Sequence, residues 1–292
     1  MFQTQLHVEA GSRDVFLPVH DALLPPAPGA QPATGSEEGR LELQYRDRLE
    51  FAVERTCSAD WSLRSTRPGE PAPRRAFQVR TTWMPTVETP QTMAAPVPAA
   101  ELDMRALAAA AAAPETAPLR CALEPIVEAY TAWLEEQEAA VAALPEHLRA
   151  TGAEALAEAR QVRDQLAEGI DHLLSDPEAR RCFAFMNRVM ADQRVRSQIA
   201  AARATSPGLS VEEAEARILA GSHPHHWRVF QLAFILMQLP ALTDPALPRR
   251  SGDLAAAQLL FFPTGGGKTE AYLGLAAYAF AIRRLQGVVP TP

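Results

Sequence analysis

Residues 262–269 read Phe262-Pro263-Thr264-Gly265-Gly266-Gly267-Lys268-Thr269, three consecutive glycines followed by a Lys-Thr pair. Lys268 is the only lysine among the 28 lysines and arginines of the chain, so the other 27 are arginines. Lysine is a compact point charge on a flexible stem, whereas arginine is a planar fork. A loop that wraps around the β- and γ-phosphates of a nucleotide needs the lysine. The stretch is therefore typical of a phosphate-binding loop.

The neighbouring residues supply the context that such a loop requires. Gln258–Phe262 is a short apolar run that predicts a strand, and Thr269–Gln286 predicts a helix with Gly287 as its stop. Glycines let backbone N–H groups approach phosphate oxygens, and a helix N-terminus adds unpaired N–H groups and a positive dipole. We expect Thr264–Gly267 to cradle phosphates. A glycine-rich turn that binds nothing is the alternative interpretation.

Two residues of the loop are expected to carry the chemistry. Lys268 would bridge the β- and γ-phosphates of ATP, and the Thr269 hydroxyl would hold Mg²⁺. Lys268 and Thr269 are therefore the candidate catalytic residues, and Thr269 is the candidate metal ligand. Glu270 follows directly, and we interpret it as an acidic first-turn residue favoured by the helix dipole.

The loop departs from the general pattern G-x-x-x-x-G-K-[ST], because Phe262 stands where the first glycine is expected. The form Pro-Thr-Gly-x-Gly-Lys-Thr resembles motif I of superfamily 2 helicases, in which the first position is looser. Upstream, Arg228-Val229-Phe230-Gln231 resembles the R-x-[YF]-Q motif of the same superfamily. That resemblance implies that the Gln231 amide reads the adenine edge, that Phe230 packs nearby, and that Arg228 belongs to the same nucleotide site. A polar residue on a core helix is the alternative for Gln231.

A wider resemblance rests on five stretches: Arg48–Val53, Val79–Thr86, Phe185–Met190, Trp227–Phe234 and Phe261–Leu275. Together they resemble one family, the large helicase-related subunit of bacterial DISARM anti-phage systems. The resemblance implies an ATP-driven, DNA-binding protein of a restriction-like defence system. It also implies that the protein acts with a partner subunit and a DNA methyltransferase.

Composition excludes several other classes of protein. The formal charge is −7 and no basic patch is evident, so we expect any contact with DNA to be local or to use other parts of the protein. The three cysteines show no metal-ligand spacing, which argues against a disulfide framework or a zinc site and favours a cytoplasmic location. His223, His225 and His226 lack a carboxylate at matching spacing, so we interpret them as a solvated loop. No apolar run approaches the roughly 20 residues of a membrane span.

The pattern along the chain predicts an α+β protein with a β-rich N-terminal region, an α-helical centre, and the first strand, phosphate loop and helix of a RecA-like domain. Strands are predicted at Asp14–Val19, Leu49–Val53 and Ala76–Trp83. The predicted segments are 1–40 (N-terminal segment and linker), 41–93 (β-rich), 94–118 (Pro/Ala linker), 119–222 (helical) and 223–292 (start of the ATPase domain).

Helix boundaries are predicted from proline, glycine and capping signals. Pro125 marks a kink or a helix start, and the next helix is expected to begin at Pro145, with a break at Gly152. Ser175–Glu178 and Ser210–Glu213 both fit the capping-box pattern. A further buried helix is predicted at Trp227–Leu239.

The chain ends at Pro292 without an apolar run that ends in Asp-Glu after Thr269. We therefore expect that the Walker B acids belong to a longer protein and that this chain alone hydrolyses little ATP. We also expect Leu254–Pro292 to dock only loosely. Two alternatives stay open: residues 41–240 form a non-catalytic scaffold that docks a partner, or the loop belongs to a P-loop ATPase of another superfamily.

Overall fold

The computed structural model describes residues 5–26, 36–53, 57–67, 70, 73–84, 93–222, 225–250, 253, 255–263 and 265–287. In this part the chain is mostly helical with a three-stranded sheet near its N-terminus, which confirms the mixed fold in its coarse form. The chain divides into two units. The first comprises Met1–Pro90 and Glu136–Glu158, and the second comprises Gln91–Glu135 and Ala159–Pro292. The segment boundaries given above stay predictions.

The sheet of the first unit contains β1 (His7–Glu9), β2 (Ser58–Ser62) and β3 (Gln78–Thr82) in the order β1-β3-β2. Both pairings are antiparallel, and Val79 of the central strand lies opposite Val8 on one side and Trp61 on the other. Apolar cross-strand neighbours of this kind stabilise a small sheet. The strand predicted at Ala76–Trp83 is confirmed by β3.

Three predictions in this unit are wrong. Leu49–Val53 is not a strand: Phe51 is buried and packs its ring 5.9 Å from that of Trp61, so its apolar character reflects packing and not strand pairing. Asp14–Val19 makes only an isolated bridge, from Phe16 to Ala76. Helix α1 (Glu37–Tyr45) lies where a linker and β structure were expected, because Ser36 caps it through the N–H of Gly39.

Seven further helices follow in the described part of the chain. They are α2 (Met104–Ala112), α3 (Ala117–Ala143), α4 (Glu146–Ser175), α5 (Pro177–Thr205), α6 (Val211–Leu219), α7 (Val229–Thr243) and α8 (Lys268–Leu285). Pro125 lies inside α3, so the helix does not begin there. Gly152 lies inside α4 and does not break it. A Cβ at Gly152 would meet side-chain atoms of Leu144 and Val141 at 3.0–3.2 Å, so this glycine permits close packing.

The two predicted capping boxes have different outcomes. Ser210 and Glu213 form the predicted box at the start of α6. At the start of α5 the cap is Asp176, whose carboxylate accepts from the N–H groups of Glu178 and Ala179, and Ser175 belongs to the end of α4. Asp176 replaces Ser175 because Pro177 occupies the first position of the helix, which fixes the cap at the residue before it.

The core of the second unit is built around α5. Phe183, Met186 and Met190 of this helix are buried, and the indole of Trp227 donates to Asn187 Oδ1 at 2.8 Å. Burial of these large side chains is the main source of stability. Gly169 of α4 lies so close to α7 that an added Cβ would be 2.1 Å from the Leu236 carbonyl oxygen.

Helix α8 is firmly packed in this unit, so the expectation of loose docking is wrong for Lys268–Leu285. Ala271, Tyr278 and Ile282 are fully buried. The Tyr278 hydroxyl lies 2.6 Å from Thr243 Oγ1, which also hydrogen-bonds His172 Nε2 at 2.9 Å and so joins α4, α7 and α8. Burial raises the pKa of Tyr278 and lowers that of His172, so both side chains stay neutral at pH 7.

The segment before the glycine loop differs from the prediction. Gln258–Phe262 forms no strand, because no described segment pairs with its backbone. Leu260 packs on the core, while Leu259 and Phe261 are 83% and 87% exposed. In the described residues, no helix combines the length and apolar character needed to cross a bilayer.

Candidate nucleotide-binding loop

The glycines of residues 265–267 are required by the backbone of the loop. Gly265 and Gly267 have φ angles of 80° and 88°, in the left-handed region that favours glycine. At position 266, glycine is required because there is no space for a side chain: a Cβ there would be 2.5 Å from Phe262 Cδ1 and 2.9 Å from the Pro263 carbonyl oxygen. Thr264, the remaining residue of the predicted cradle, lies outside the described residues.

The single lysine lies across this loop. Lys268 Nζ donates to the carbonyl oxygen of Phe262 and, at 3.2 Å, to that of Pro263. Two backbone carbonyls therefore hold the only ammonium group of a lysine side chain where the loop turns. Rotation about the bonds of the flexible Lys268 side chain can move the ammonium group from these carbonyls to a stronger, anionic acceptor.

Helix α8 begins at the end of the loop with no side-chain cap. Its N-cap is Gly267, which has no side chain, and among the described residues no side-chain capping hydrogen bond reaches the first-turn N–H groups. Thr269 is exposed at the first turn. Glu270 folds back towards Gly267, and its buried Oε2 atom has no hydrogen-bond partner among the described residues. These N–H groups and the positive helix dipole are available to an anion.

Two residues from the start of α7 support the loop from outside. Arg228 Nη1 donates to the Gly266 carbonyl at 2.8 Å, and Gln231 Nε2 donates to the Gly267 carbonyl at 2.6 Å. The Gln231 Oε1 atom accepts from the backbone N–H of Arg228 at 2.8 Å, and the residue is 2% exposed. Both ends of the Gln231 amide are thus occupied. The structure brings Arg228 and Gln231 onto the loop, and the role of Gln231 as adenine reader stays a prediction.

Aromatic contacts complete the site. The rings of Phe230 and Phe262 stack with centroids 3.9 Å apart and planes 12° apart. They line a cavity of about 520 Å³ that also contacts Gly265, Gly266 and the segment Met93–Pro96. Its volume is typical of small-ligand sites. Sequence reasoning missed Phe262 and Met93–Pro96 as site residues, although the unusual Phe262 was a usable signal.

The histidines before α7 are not a solvated loop, which corrects the prediction for His225 and His226. His225 Nδ1 lies 2.8 Å and His226 Nε2 3.2 Å from Asp103 Oδ2, and His223 lies outside the described residues. Burial alone would raise the pKa of Asp103. The Ala106 and Arg105 N–H groups and the two imidazoles outweigh it, so that the pKa is lowered. No cluster of three or more metal-ligating side chains occurs in the residues that the structure describes.

Comparison with known proteins identifies one related protein. The chain is 40% identical over 116 residues to DISARM protein DrmA of Bacillus paralicheniformis. These aligned residues make up 39% of this chain. The match covers 9% of the length of that protein. No protein-family model matches the chain. The relation to a DISARM protein agrees with the family resemblance seen in the sequence.

Proposed function

We propose that the loop and its supports bind Mg·ATP. The observation that carries the proposal is the convergence of the Lys268 ammonium and the uncapped start of α8 on one glycine loop. Because the loop has no space for a side chain at Gly266, we expect backbone N–H groups of the loop to be the phosphate ligands. Lys268 would exchange its two carbonyl acceptors for phosphate oxygens, and the exposed Thr269 hydroxyl would hold Mg²⁺, which neutralises phosphate charge when bound.

The relation to DrmA extends this proposal to a biological setting. We infer that the chain acts in DISARM anti-phage defence, as part of an ATP-dependent superfamily 2 helicase or translocase that acts on DNA with a partner subunit. The similarity to a DISARM protein supports the setting. The motif at Phe262–Thr269 and its contact with Arg228 and Gln231 support the superfamily.

Equilibrium binding of a fluorescent N-methylanthraniloyl-ATP in the presence of Mg²⁺ tests the nucleotide site. Lys268→Ala should weaken binding by at least about tenfold, the range of a charge-assisted hydrogen bond. Arg196→Ala removes one positive charge from an exposed position on α5 and is the matched control. Equal affinity of wild type and Lys268→Ala would overturn the proposal.

A second test exploits the single lysine. An amine-selective acylating reagent can modify only Lys268 and the terminal amine in this chain. If phosphates bind the loop, Mg·ATP should slow modification of Lys268 by at least about fivefold, while the terminal amine reacts at an unchanged rate. Peptide mass spectrometry measures both rates in one sample. Unprotected Lys268 at saturating Mg·ATP would contradict phosphate binding here.

A further inference from the structure

A second open groove lies between α5 and α8, away from the glycine loop. It has a volume of about 1070 Å³ and is lined by Phe185, Phe280 and Leu285, by several alanines, and by four arginines. Phe280 is 78% exposed and Phe185 43% exposed. Because a helix rises about 1.5 Å per residue, Phe280 lies roughly 18 Å along α8 from Lys268. This α5–α8 groove is therefore separate from the loop.

The charges around the groove have one sign. Arg181, Arg188, Arg283 and Arg284 line it, and none of its lining residues is acidic. Arg283 donates to the Leu242 and Thr243 carbonyls. In the described part of the chain, no acidic side chain pairs with any of the other three.

Arginines elsewhere in the second unit are differently placed. Arg105 pairs with Asp192 and Arg249 pairs with Glu168. The chain as a whole carries a formal charge of −7. Four arginines that line a groove with exposed phenyl rings and no acidic lining residue are thus a local exception, and they complement a negatively charged ligand.

We propose that the α5–α8 groove docks an amphipathic helix of a partner chain, with acidic residues beside its apolar stripe. An elongated apolar groove between two helices accepts the apolar face of a third. Small side chains, Ala112, Ala184, Ala279 and Ala281, line it and permit close approach. Apart from the four arginines, every lining residue is an alanine, a phenylalanine, a leucine or a cysteine, which favours the apolar face of a helix. The proposal does not depend on nucleotide binding.

The probe is a fluorescein-labelled peptide of about 18 residues with leucine at i, i+3, i+4 and i+7 and glutamate on its flanks. Its comparators are the same peptide with lysine for glutamate, an acidic peptide with scrambled leucine positions, and a labelled oligothymidine. Fluorescence anisotropy should show the acidic amphipathic peptide binding at least about tenfold tighter than each comparator. Equal binding of the acidic and basic peptides, or tighter binding of oligothymidine, would overturn the proposal.

Variants locate the peptide on the groove. Phe280→Asp and Arg188→Glu should each weaken the acidic peptide by at least about tenfold. Leu219→Asp on α6 and Arg196→Glu on α5 are exposed matched controls and should bind normally. Circular dichroism and urea unfolding establish that each variant folds. Unchanged binding by folded Phe280→Asp would refute the proposal.

A charge exchange gives a gain-of-binding test that unfolding cannot mimic. The double variant Arg188→Glu with Arg284→Glu should bind the lysine peptide at least about tenfold tighter than the wild type does. A failure of this exchange would contradict charge complementarity. Sedimentation addresses the other occupant: a dimer that Phe280→Asp dissociates would assign the groove to a second copy of the chain and overturn the partner proposal.

Discussion

The helices α6 and α8 satisfy their N-termini in opposite ways. At α6, Ser210 Oγ accepts from the Glu213 N–H at 3.1 Å, and the Glu213 carboxylate accepts from the Ser210 N–H at 3.1 Å. At α8, the N-cap is Gly267 with a φ of 88°, and within the part of the chain that the structure describes the helix has no side-chain cap. The first four N–H groups of any helix need partners from outside it. Ser210 supplies one such partner at α6, whereas the N-cap glycine of α8 has no side chain to do so.

The difference shows how a stable helix can keep its N-terminus open for a ligand. A side-chain cap contributes about 1 kcal/mol, which α8 forgoes. Burial of Tyr278 and Ile282 offsets that loss, since a fully buried large apolar side chain contributes about 1.5–3 kcal/mol. The stability of α8 therefore comes from its packed face, and the N–H groups at its N-terminus stay available to a ligand.

Gly267→Ala should have the largest effect on nucleotide affinity, because it places a side chain at the uncapped N-terminus of α8. A Cβ at Gly267 would lie 2.7 Å from Gln231 Nε2 in a backbone that favours glycine. We expect an ATP-analogue affinity loss of about 3 kcal/mol, roughly 100-fold in Kd. Gly208, near the start of α6, has no atom within 4 Å of an added Cβ, so Gly208→Ala is the matched control. Equal effects of the two substitutions in titrations would contradict the comparison.

Gln231→Met should have the next largest effect, because it removes the brace and keeps the volume. The Gly267 carbonyl and the Arg228 N–H would lose their partners, at about 1–3 kcal/mol of folding free energy. If Gln231 acts by bracing the loop, ATP and GTP analogues should both bind roughly tenfold more weakly. A loss confined to ATP would show that Gln231 reads adenine instead. Gln238→Met on the same helix is the control.

Local signals made the two N-termini predictable from sequence. The Ser210-x-x-Glu213 spacing is complete within four residues, and the glycine run with Lys268 is complete within one turn. Gly267 lies at the start of α8 and Gly287 just beyond its end, as the glycine pattern of the sequence indicated. The approach of Arg228 and Gln231 to the loop followed only from the family resemblance, because contacts across more than 35 residues leave no local trace.

The errors have a common physical cause. An apolar run becomes a strand only if another backbone pairs with it, so Leu49–Val53 and Gln258–Phe262 satisfied the pattern without the pairing. Gly152 carried a break signal, but its missing Cβ serves the packing of Leu144 and Val141. The Phe230–Phe262 stack and the pairing of Asp103 with His225 depend on tertiary structure.

Ser210→Ala should have a smaller effect and leave the nucleotide site unchanged. Loss of the capping box removes about 1 kcal/mol of stability, mainly from α6, whose core contact is Ala214 on Val195 and Ile199. Hydrogen exchange across Val211–Leu219 should accelerate roughly fivefold, and ATP-analogue affinity should not change. The exposed Ser222→Ala is the control. A loss of nucleotide affinity in Ser210→Ala would show that the two N-termini are coupled.

Asp103→Asn should have the smallest effect on stability. The Asp103 carboxylate makes the N-cap of α2 pH-dependent, whereas the Gly267 N-cap of α8 has no titratable side chain. Asp103 Oδ1 caps α2 at 2.8 Å from the N–H groups of Arg105 and Ala106, and asparagine can keep that cap. Only the charge contacts with His225 and His226 are lost, about 0.5 kcal/mol at pH 7.

The sign of that dependence follows from linkage. The pKa of Asp103 is lowered from 3.8 in the folded protein, so the unfolded chain binds more protons in the window between the folded pKa and about pH 3.8. The stability that the carboxylate contributes is complete above pH 3.8 and is lost as the pH falls through the folded value. Urea unfolding of wild type and Asp103→Asn should therefore differ at pH 7 and converge only when the pH has fallen below the folded pKa of Asp103. A difference that persists at low pH would mean that the contribution of Asp103 comes from hydrogen bonding at the start of α2 and not from its charge.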